Sequence, residues 1–283
     1  MNYRHAFHAG GFADVVKHSV LALLIERLKL KDTAFRVIDT HAGTGLYDLT
    51  ANEATRSGEW REGIGRLWQR PLDPGLAALT APWLDAVKAS NAPGDRLRRY
   101  PGSPWIARHL LRRQDRLTAV ELHPDDAKVL AERFAGDIQV RTIALDGWLA
   151  LGAFLPPKER RGLVLVDPPY EEADEFARLV DSFVQAHQRW PTGIYCLWYP
   201  VKDLAAVDRL RVRLARSGIR RLVRAELFVR ERAASGTFNG TGLVICNPPW
   251  QFTQALVALL GGLVPLLSQG DGAGHTLDEI AGE

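Results

Sequence analysis

Apolar positions along the chain switch repeatedly between two periods. From Asp14 to Leu28 they fall at Val15, Val16, Val20, Leu21, Leu24, Ile25 and Leu28, the spacing of one helix face, which leaves Lys17 and His18 on the polar side. Phe35 to Ile38 reads as a short strand running into Asp39 and a glycine-containing turn. The rhythm then breaks. From Glu53 to Tyr100 the pattern suggests helices around Trp60–Trp68 and Leu76–Ala89 separated by "PLDPG", a helical insert rather than another strand–helix unit. Beyond it, "LTAVEL", "IQVRTIALDG", "GLVLV", "GIYCLWYP", "RRLVRAELFV" and "TGLVICNPPW" read as strands. Helices are predicted at "PGSPWIARHLL", Pro124–Phe134, Asp174–Arg189, Leu204–Ser217 and Phe252–Leu267. Strands alternating with helices imply an α/β fold with a mostly parallel, doubly wound sheet, and the two adjacent late strands imply an antiparallel edge hairpin. The organisation expected is one domain (1–52 and 101–283) carrying an insert (53–100). The Gly- and acid-rich tail from Ser268 to Glu283 is expected to be weakly ordered.

In such sheets ligands bind beyond the carboxyl ends of the strands, so the residues that end strands carry the chemical information. The first strand ends in Asp39-Thr40-His41-Ala42-Gly43-Thr44-Gly45, where glycines allow close backbone approach. A later strand ends in Glu121, a carboxylate suited to both hydroxyls of a ribose, and another in Asp146-Gly147, where an acid can accept from an adenine amino group. These features suit NAD as well as S-adenosylmethionine. The third glycine of a pyrophosphate cradle is missing, and Glu121 lies far beyond the usual twenty-residue distance, so the spacing favours S-adenosylmethionine.

The strand "GLVLV" runs into Asp167-Pro168-Pro169-Tyr170, which cannot continue a ladder because two successive residues lack an N–H. An exocyclic amine on a base is a poor nucleophile because its lone pair is delocalised into the ring. The Asp167 carboxylate and the Pro168 carbonyl can accept its two hydrogens and draw the nitrogen toward sp³ geometry, while Tyr170 offers a stacking face. The simpler alternative for Asp167 is a strand-end cap. Asn247-Pro248-Pro249-Trp250 has the same grammar, but it follows a strand that such folds run antiparallel, so it reads as a structural turn at the far end of the sheet.

Composition narrows the class further. A chain of 283 residues with 46% hydrophobic content can bury a large core. A net charge of +3 is compatible with a nucleic-acid partner without requiring one. Cys196 and Cys246 lie in apolar runs and read as buried small hydrophobes, too few for a zinc site. No apolar stretch of about 18 residues occurs. A cytoplasmic protein without metal or membrane association is therefore expected, with a monomer as the default. In the insert, Arg56, Arg61, Arg66, Arg70, Arg96, Arg98 and Arg99 suit phosphates, and Trp60, Trp68 and Trp83 suit either base stacking or a local core.

Several strings in this chain are long and unusual: "FHAGGFADVVKH", "DTHAGTGLY", "YPGSPWIAR", "ELHP", "DPPY", "GIYCLWYP" and "NPPW", preceded by Tyr3-Arg4-His5. Through them the sequence resembles, over nearly its whole length, the bacterial 23S ribosomal RNA adenine-N6 methyltransferases of the J type. The resemblance implies a Rossmann-like class I fold, S-adenosylmethionine as cofactor and 23S rRNA as partner. It implies Asp167 as catalytic residue, cofactor contacts from Lys17, His18, His41, Ser103, Glu121, Asp146 and Gly147, and a substrate arm at Tyr3, Arg4 and His5. On the residues alone, Lys17 and His18 would be a solvated helix face, His41 a satisfied core histidine and Ser103 a helix N-cap. The alternatives are a DNA adenine-N6 methyltransferase, a silent RNA-binding protein of the same fold, and a methyltransferase for a small molecule or a protein glutamine.

Overall fold

A computed structural model describes residues 4–94, 96–172, 174–232 and 236–282. Its strands are β1 (Arg36–Asp39), β2 (Leu46–Asp48), β3 (Arg99–Pro101), β4 (Arg116–Glu121), β5 (Val140–Ala144), β6 (Gly162–Val166), β7 (Ile194–Val201), β8 (Leu222–Phe228), β9 (Gly240–Cys246) and β10 (Gly274–Ala281). β2 and β3 form a small separate ribbon, and the other eight make one sheet in the order β10-β8-β9-β7-β6-β1-β4-β5. From β5 to β7 every pairing is parallel, which places the carboxyl ends of β1, β4, β5 and β6 along one edge. β9 runs against both β7 and β8. Asn247 therefore leaves the sheet at the opposite edge from Asp167, as the sequence suggests.

Both faces of the sheet are covered. α1 (Phe12–Lys29), α4 (Pro74–Ala89), α5 (Ser103–Leu110) and α10 (Phe252–Leu267) pack on one side, and α7 (Gly147–Ala153), α8 (Glu175–Arg189) and α9 (Leu204–Ala215) on the other, with α6 (Pro124–Arg133) beside β4 and β5. This explains why β6 is apolar throughout rather than alternating: all five of its residues are buried.

The insert comprises α2 (Asn52–Ser57), α3 (Glu59–Glu62) and α4, and returns through β3 to pair with β2. Its hydrophobic residues join the main core. Trp83 is fully buried with Leu24 and Leu260 in the same cluster, and Trp60 and Trp68 pack against that cluster. Trp83 is thereby removed as a base-stacking surface. Arg66 is held by Glu62 and by the carbonyls of Leu266 and Ser268, while Arg56, Arg61, Arg70, Arg96, Arg98 and Arg99 stay exposed or nearly so.

Two expectations need correction. The tail is not weakly ordered: Gly274 to Ala281 adds β10 antiparallel to β8, so the antiparallel part has three strands rather than a hairpin. The acidic composition masked this, but Arg224 neutralises Asp278 at 2.8 Å, and Leu277 and Ile280 pack onto the two cores. α1 also lacks a solvated face. It is wedged between the sheet and α4, α5 and α10, and Lys17 and His18 are 2% and 1% exposed.

Candidate active site

A charged side chain is rarely buried unless partners satisfy it. Lys17 has two: its ammonium donates to Asp167 Oδ2 at 2.5 Å and lies 2.9 Å from Asp14 Oδ1. Asp14 Oδ2 accepts from the Gly10 amide and meets His5 Nε2, both at 2.9 Å. Burial alone would raise the Asp14 carboxyl, yet His5, Lys17 and His18 outweigh it and hold it well below the ordinary range. Burial likewise opposes the Lys17 charge, and the two carboxylates overcome it and raise its pKa. A permanent cation thus sits beneath Asp167, fixed by one turn of α1. Asp167 Oδ1 carries no hydrogen bond among the described residues.

Asp167 stands between two adjoining cavities. The first is lined by His18, His41, Gly43, Ser103, Glu121 and Asp146, together with Gly147; the second by Asp14, Tyr170 and Trp198; His5, Lys17, Asp167 and Pro169 are common to both. Glu121 ends β4 with each carboxylate oxygen already oriented, Oε2 by the Gly43 amide at 2.7 Å and Oε1 by the His123 amide at 2.8 Å. Gly43 has φ +59°, and a Cβ there would lie 2.1 Å from the Tyr47 hydroxyl, so a side chain in the β1 turn would be strained and would displace Tyr47. The carboxylates of Glu121, Asp146 and Asp167, and a glycine turn whose backbone can be approached, suit a sulfonium nucleoside: the cation gains nearby negative charge and the ribose gains an oriented acceptor.

The remaining residues have partners of their own. His18 Nδ1 meets the Tyr100 hydroxyl at 2.8 Å, and burial pushes its pKa down to about 3. His41 meets Thr40 Oγ1 at 2.8 Å, stands edge-on to Trp148, and is pushed by burial down to about 4. Both are neutral imidazoles at neutral pH and can offer hydrogen bonds rather than charge. Ser103 opens α5 as its first helical residue, the cap position being Gly102. Asp146 caps α7 by accepting from the Trp148 amide at 2.8 Å and pairs with Arg178 at 2.9 Å. Gly147 has a packing reason, since a Cβ would meet the Thr40 carbonyl at 2.2 Å. Tyr170 turns its hydroxyl to the Trp198 carbonyl at 2.7 Å and its ring against Trp198 and Phe176, so only part of its face borders the second cavity. Pro168 is buried behind it. Tyr3 lies outside the described residues. Arg4 reaches Asp125 at 3.6 Å, and His5 lines both cavities.

Comparison with known proteins decides the lineage. The model of the family described as ribosomal RNA large subunit methyltransferase D, RlmJ, matches residues 32–278. The chain belongs to this family. It is 44% identical over 275 residues to ribosomal RNA large subunit methyltransferase J of Escherichia coli K12, covering 97% of this chain and 96% of that one. The protein of the same description from Haemophilus influenzae Rd is 43% identical over 270 residues, covering 94% and 95%. A crystal structure of a Legionella pneumophila protein superposes with a TM-score of 0.86 at 33% identity, covering 96% of this chain and 98% of that one. The RlmJ fold seen here is the Rossmann-like one of class I methyltransferases, and S-adenosylmethionine is its methyl donor.

Two acids of this site do not stand out in the sequence. Asp14 enters the sequence reading only as the start of a predicted helix. Asp39 ends β1; burial pushes its carboxyl up to about 7, against the lowering by the neighbouring Ser103 hydroxyl, and among the described residues its buried Oδ2 has no hydrogen-bond partner. The signal for Asp14 is its i,i+3 spacing to Lys17 near the start of a helix rich in buried apolar residues.

Proposed function

We propose that this chain transfers the methyl group of S-adenosylmethionine to the exocyclic N6 of one adenine in 23S rRNA, with Asp167 at the reacting nitrogen. The observation that carries the reading is the position of Asp167 between an acidic nucleoside-sized cavity and an aromatic-lined one, with Oδ2 held by Lys17 and Oδ1 left over. Bound in the first cavity, the cofactor supplies an electrophilic methyl group on sulfur. Glu121 holds its ribose, His18, His41 and Ser103 offer hydrogen bonds, and Asp146 and Gly147 shape the adenine end. In the second cavity a flipped base lies against Tyr170, while Asp167 Oδ1 and the Pro168 carbonyl accept the two N6 hydrogens. Lys17 fixes the carboxylate, so Asp167 acts first by orienting the amine. Once the new N–C bond forms, the nitrogen becomes strongly acidic and its proton passes to Oδ1. The exposed arginines of the insert and the arm at Tyr3, Arg4 and His5 hold the RNA around this point. Among the described residues no helix is long and apolar enough to cross a membrane, and no cluster is arranged to hold a metal; a monomer acting in the cytoplasm is the assembly proposed.

Transfer of labelled methyl to protein-free 23S RNA, 16S RNA and duplex DNA, by wild type and Asp167→Ala side by side, tests this. Label recovered from 23S RNA as N6-methyladenosine and lost in the variant is expected. Label on duplex DNA alone would replace the substrate, and activity surviving in the variant would remove Asp167 from the chemistry.

A further inference from the structure

The catalytic cavity is a poor place to gain affinity for a polyanion. Carboxylates outnumber cations around it, Glu121, Asp126, Asp146 and Glu175 among them. That suits a sulfonium cofactor and repels phosphates. Phosphate affinity has to come from elsewhere on the molecule.

The opposite edge of the sheet has the complementary composition. A groove there is lined by Arg27, Lys31, Arg160, Arg161, Arg221 and Trp250, and among the described residues no acid lines it. It runs through Pro191, Arg221 and Asn247 into a neighbouring hollow, which also lacks acids. None of its five cations has an ion-pair partner among the described residues, although the chain carries 33 acidic residues against 36 basic ones. The guanidiniums are positioned without being neutralised. Arg161 donates to the carbonyls of Leu28 and Thr33, and Arg221 to the carbonyl of Pro248 at 3.2 Å. Burial chiefly lowers the Arg161 pKa and the nearby Arg112 adds to this, with Asp115 opposing both.

The turn that the catalytic reading leaves unused supplies an aromatic plane. Asn247 has φ 54° and is pinned by two donations from Nδ2, to the carbonyls of Pro191 and Gly193, both at 2.8 Å. Pro248 and Pro249 then carry Trp250 outward, where it is 84% exposed, with Leu30 74% exposed in the same groove. A tryptophan held in water on a rigid turn among uncompensated cations has the two features that bind unpaired nucleotides: a stacking platform and a track for phosphates. We propose that this groove binds a single-stranded stretch of RNA, one base stacked on Trp250 and the backbone phosphates on Arg160, Arg161 and Arg221. The groove is separated from Asp167 by the length of β6, roughly 17 Å for five residues. It therefore takes a different segment from the one that carries the target base. The proposal rests on an RNA substrate, and it assigns the groove to affinity and not to the chemical step.

The test uses the full-length protein and two probes: a fluorescent oligouridylate of about 12 nucleotides, a length that exceeds the smallest sites of single-strand binders, and protein-free 23S RNA as methyl acceptor. Trp250→Ala and the double variant Arg160→Ala/Arg221→Ala alter exposed residues, and their melting temperatures serve as the folding control. Expected are oligouridylate binding weakened roughly 5- to 100-fold by Trp250→Ala and a shallower salt dependence in the double variant. The KM for 23S RNA should rise in both with kcat unchanged. Unchanged binding and KM in both variants would overturn the proposal, as would equal competition by polyglutamate, which would mark a general anion patch. Because oligouridylate contains no adenine and its binding needs no turnover, loss of the substrate reading would show in the methyl-transfer arm alone.

Discussion

Two turns in this molecule are written in almost the same letters and do opposite things. Asp167-Pro168-Pro169-Tyr170 leaves β6 and Asn247-Pro248-Pro249-Trp250 leaves β9, and each holds one residue of φ 54°, Tyr170 in the first and Asn247 in the second. β6 runs with β7 and β9 against it, so the turns emerge at opposite edges of one sheet. At the first, the acid meets a buried ammonium and the aromatic ring folds back onto Trp198. At the second, a neutral amide closes onto two carbonyls and the aromatic ring stands in water. The prolines make both turns rigid. What each turn does follows from strand direction and from the charge waiting at that edge.

Exchanging the acid and the amide breaks this comparison most directly. Asp167→Asn keeps the shape but replaces the oriented carboxylate, and methyl transfer is expected to fall by about 10²- to 10³-fold, with a lowered melting temperature but a folded protein because Lys17 keeps Asp14. The reciprocal Asn247→Asp loses two donations to carbonyls, at a cost of about 1–3 kcal/mol, while kcat stays within about twofold; a kcat loss comparable to that of Asp167→Asn would mean the second turn reaches the chemistry. Cations on α1 provide the next contrast. Lys17→Met strands Asp167 without a counter-charge and leaves Asp14 with His5, and should cost about 3–5 kcal/mol in denaturant unfolding. Arg27→Met, at the other end of the helix, has no such pair and should stay within about 0.5 kcal/mol.

The same contrast shows how far the residues spoke for themselves. Period and punctuation were enough for the parallel sheet, because β6 is apolar throughout and ends in residues that cannot extend a ladder. They also placed the two proline turns at opposite edges. Lys17 and His18 were harder. On a helical wheel they define a polar face, and only the packing of α4, α5 and α10 over that face reveals it as an interior lined with charge. Asp14 was hidden for the same reason: its value lies in a lysine that it shares with Asp167, 153 positions away, an acid that periodicity cannot bring to the same ammonium. β10 was lost to composition, since acids that signal disorder in isolation are ordinary on a strand whose neighbour supplies Arg224.

Acid pH gives the gentlest probe of the difference between the two edges, because the buried titrating groups cluster at one of them. His18 has its folded pKa near 3 against an ordinary 6.5, so its stabilisation is full above pH 6.5 and is lost as pH falls toward 3, by about 1.4 kcal/mol per unit. His41, at about 4, acts in the same direction with a smaller share because it is part-exposed. Asp39 has the opposite sign: raised to about 7, it favours the protonated native state and gains stability as pH falls from 7 toward 3.8. Opposed in this way, the three groups should leave a net loss of about 2 kcal/mol or less between pH 6.5 and 5. Removing one of them separates the signs. His18→Asn, which can still meet the Tyr100 hydroxyl, should flatten or reverse the slope of unfolding free energy over that interval, and Asp39→Asn should steepen it. Identical slopes for wild type and both variants would mean that neither group is buried as described, and the acidic edge would then lose its claim to be the dry, preorganised end of the sheet.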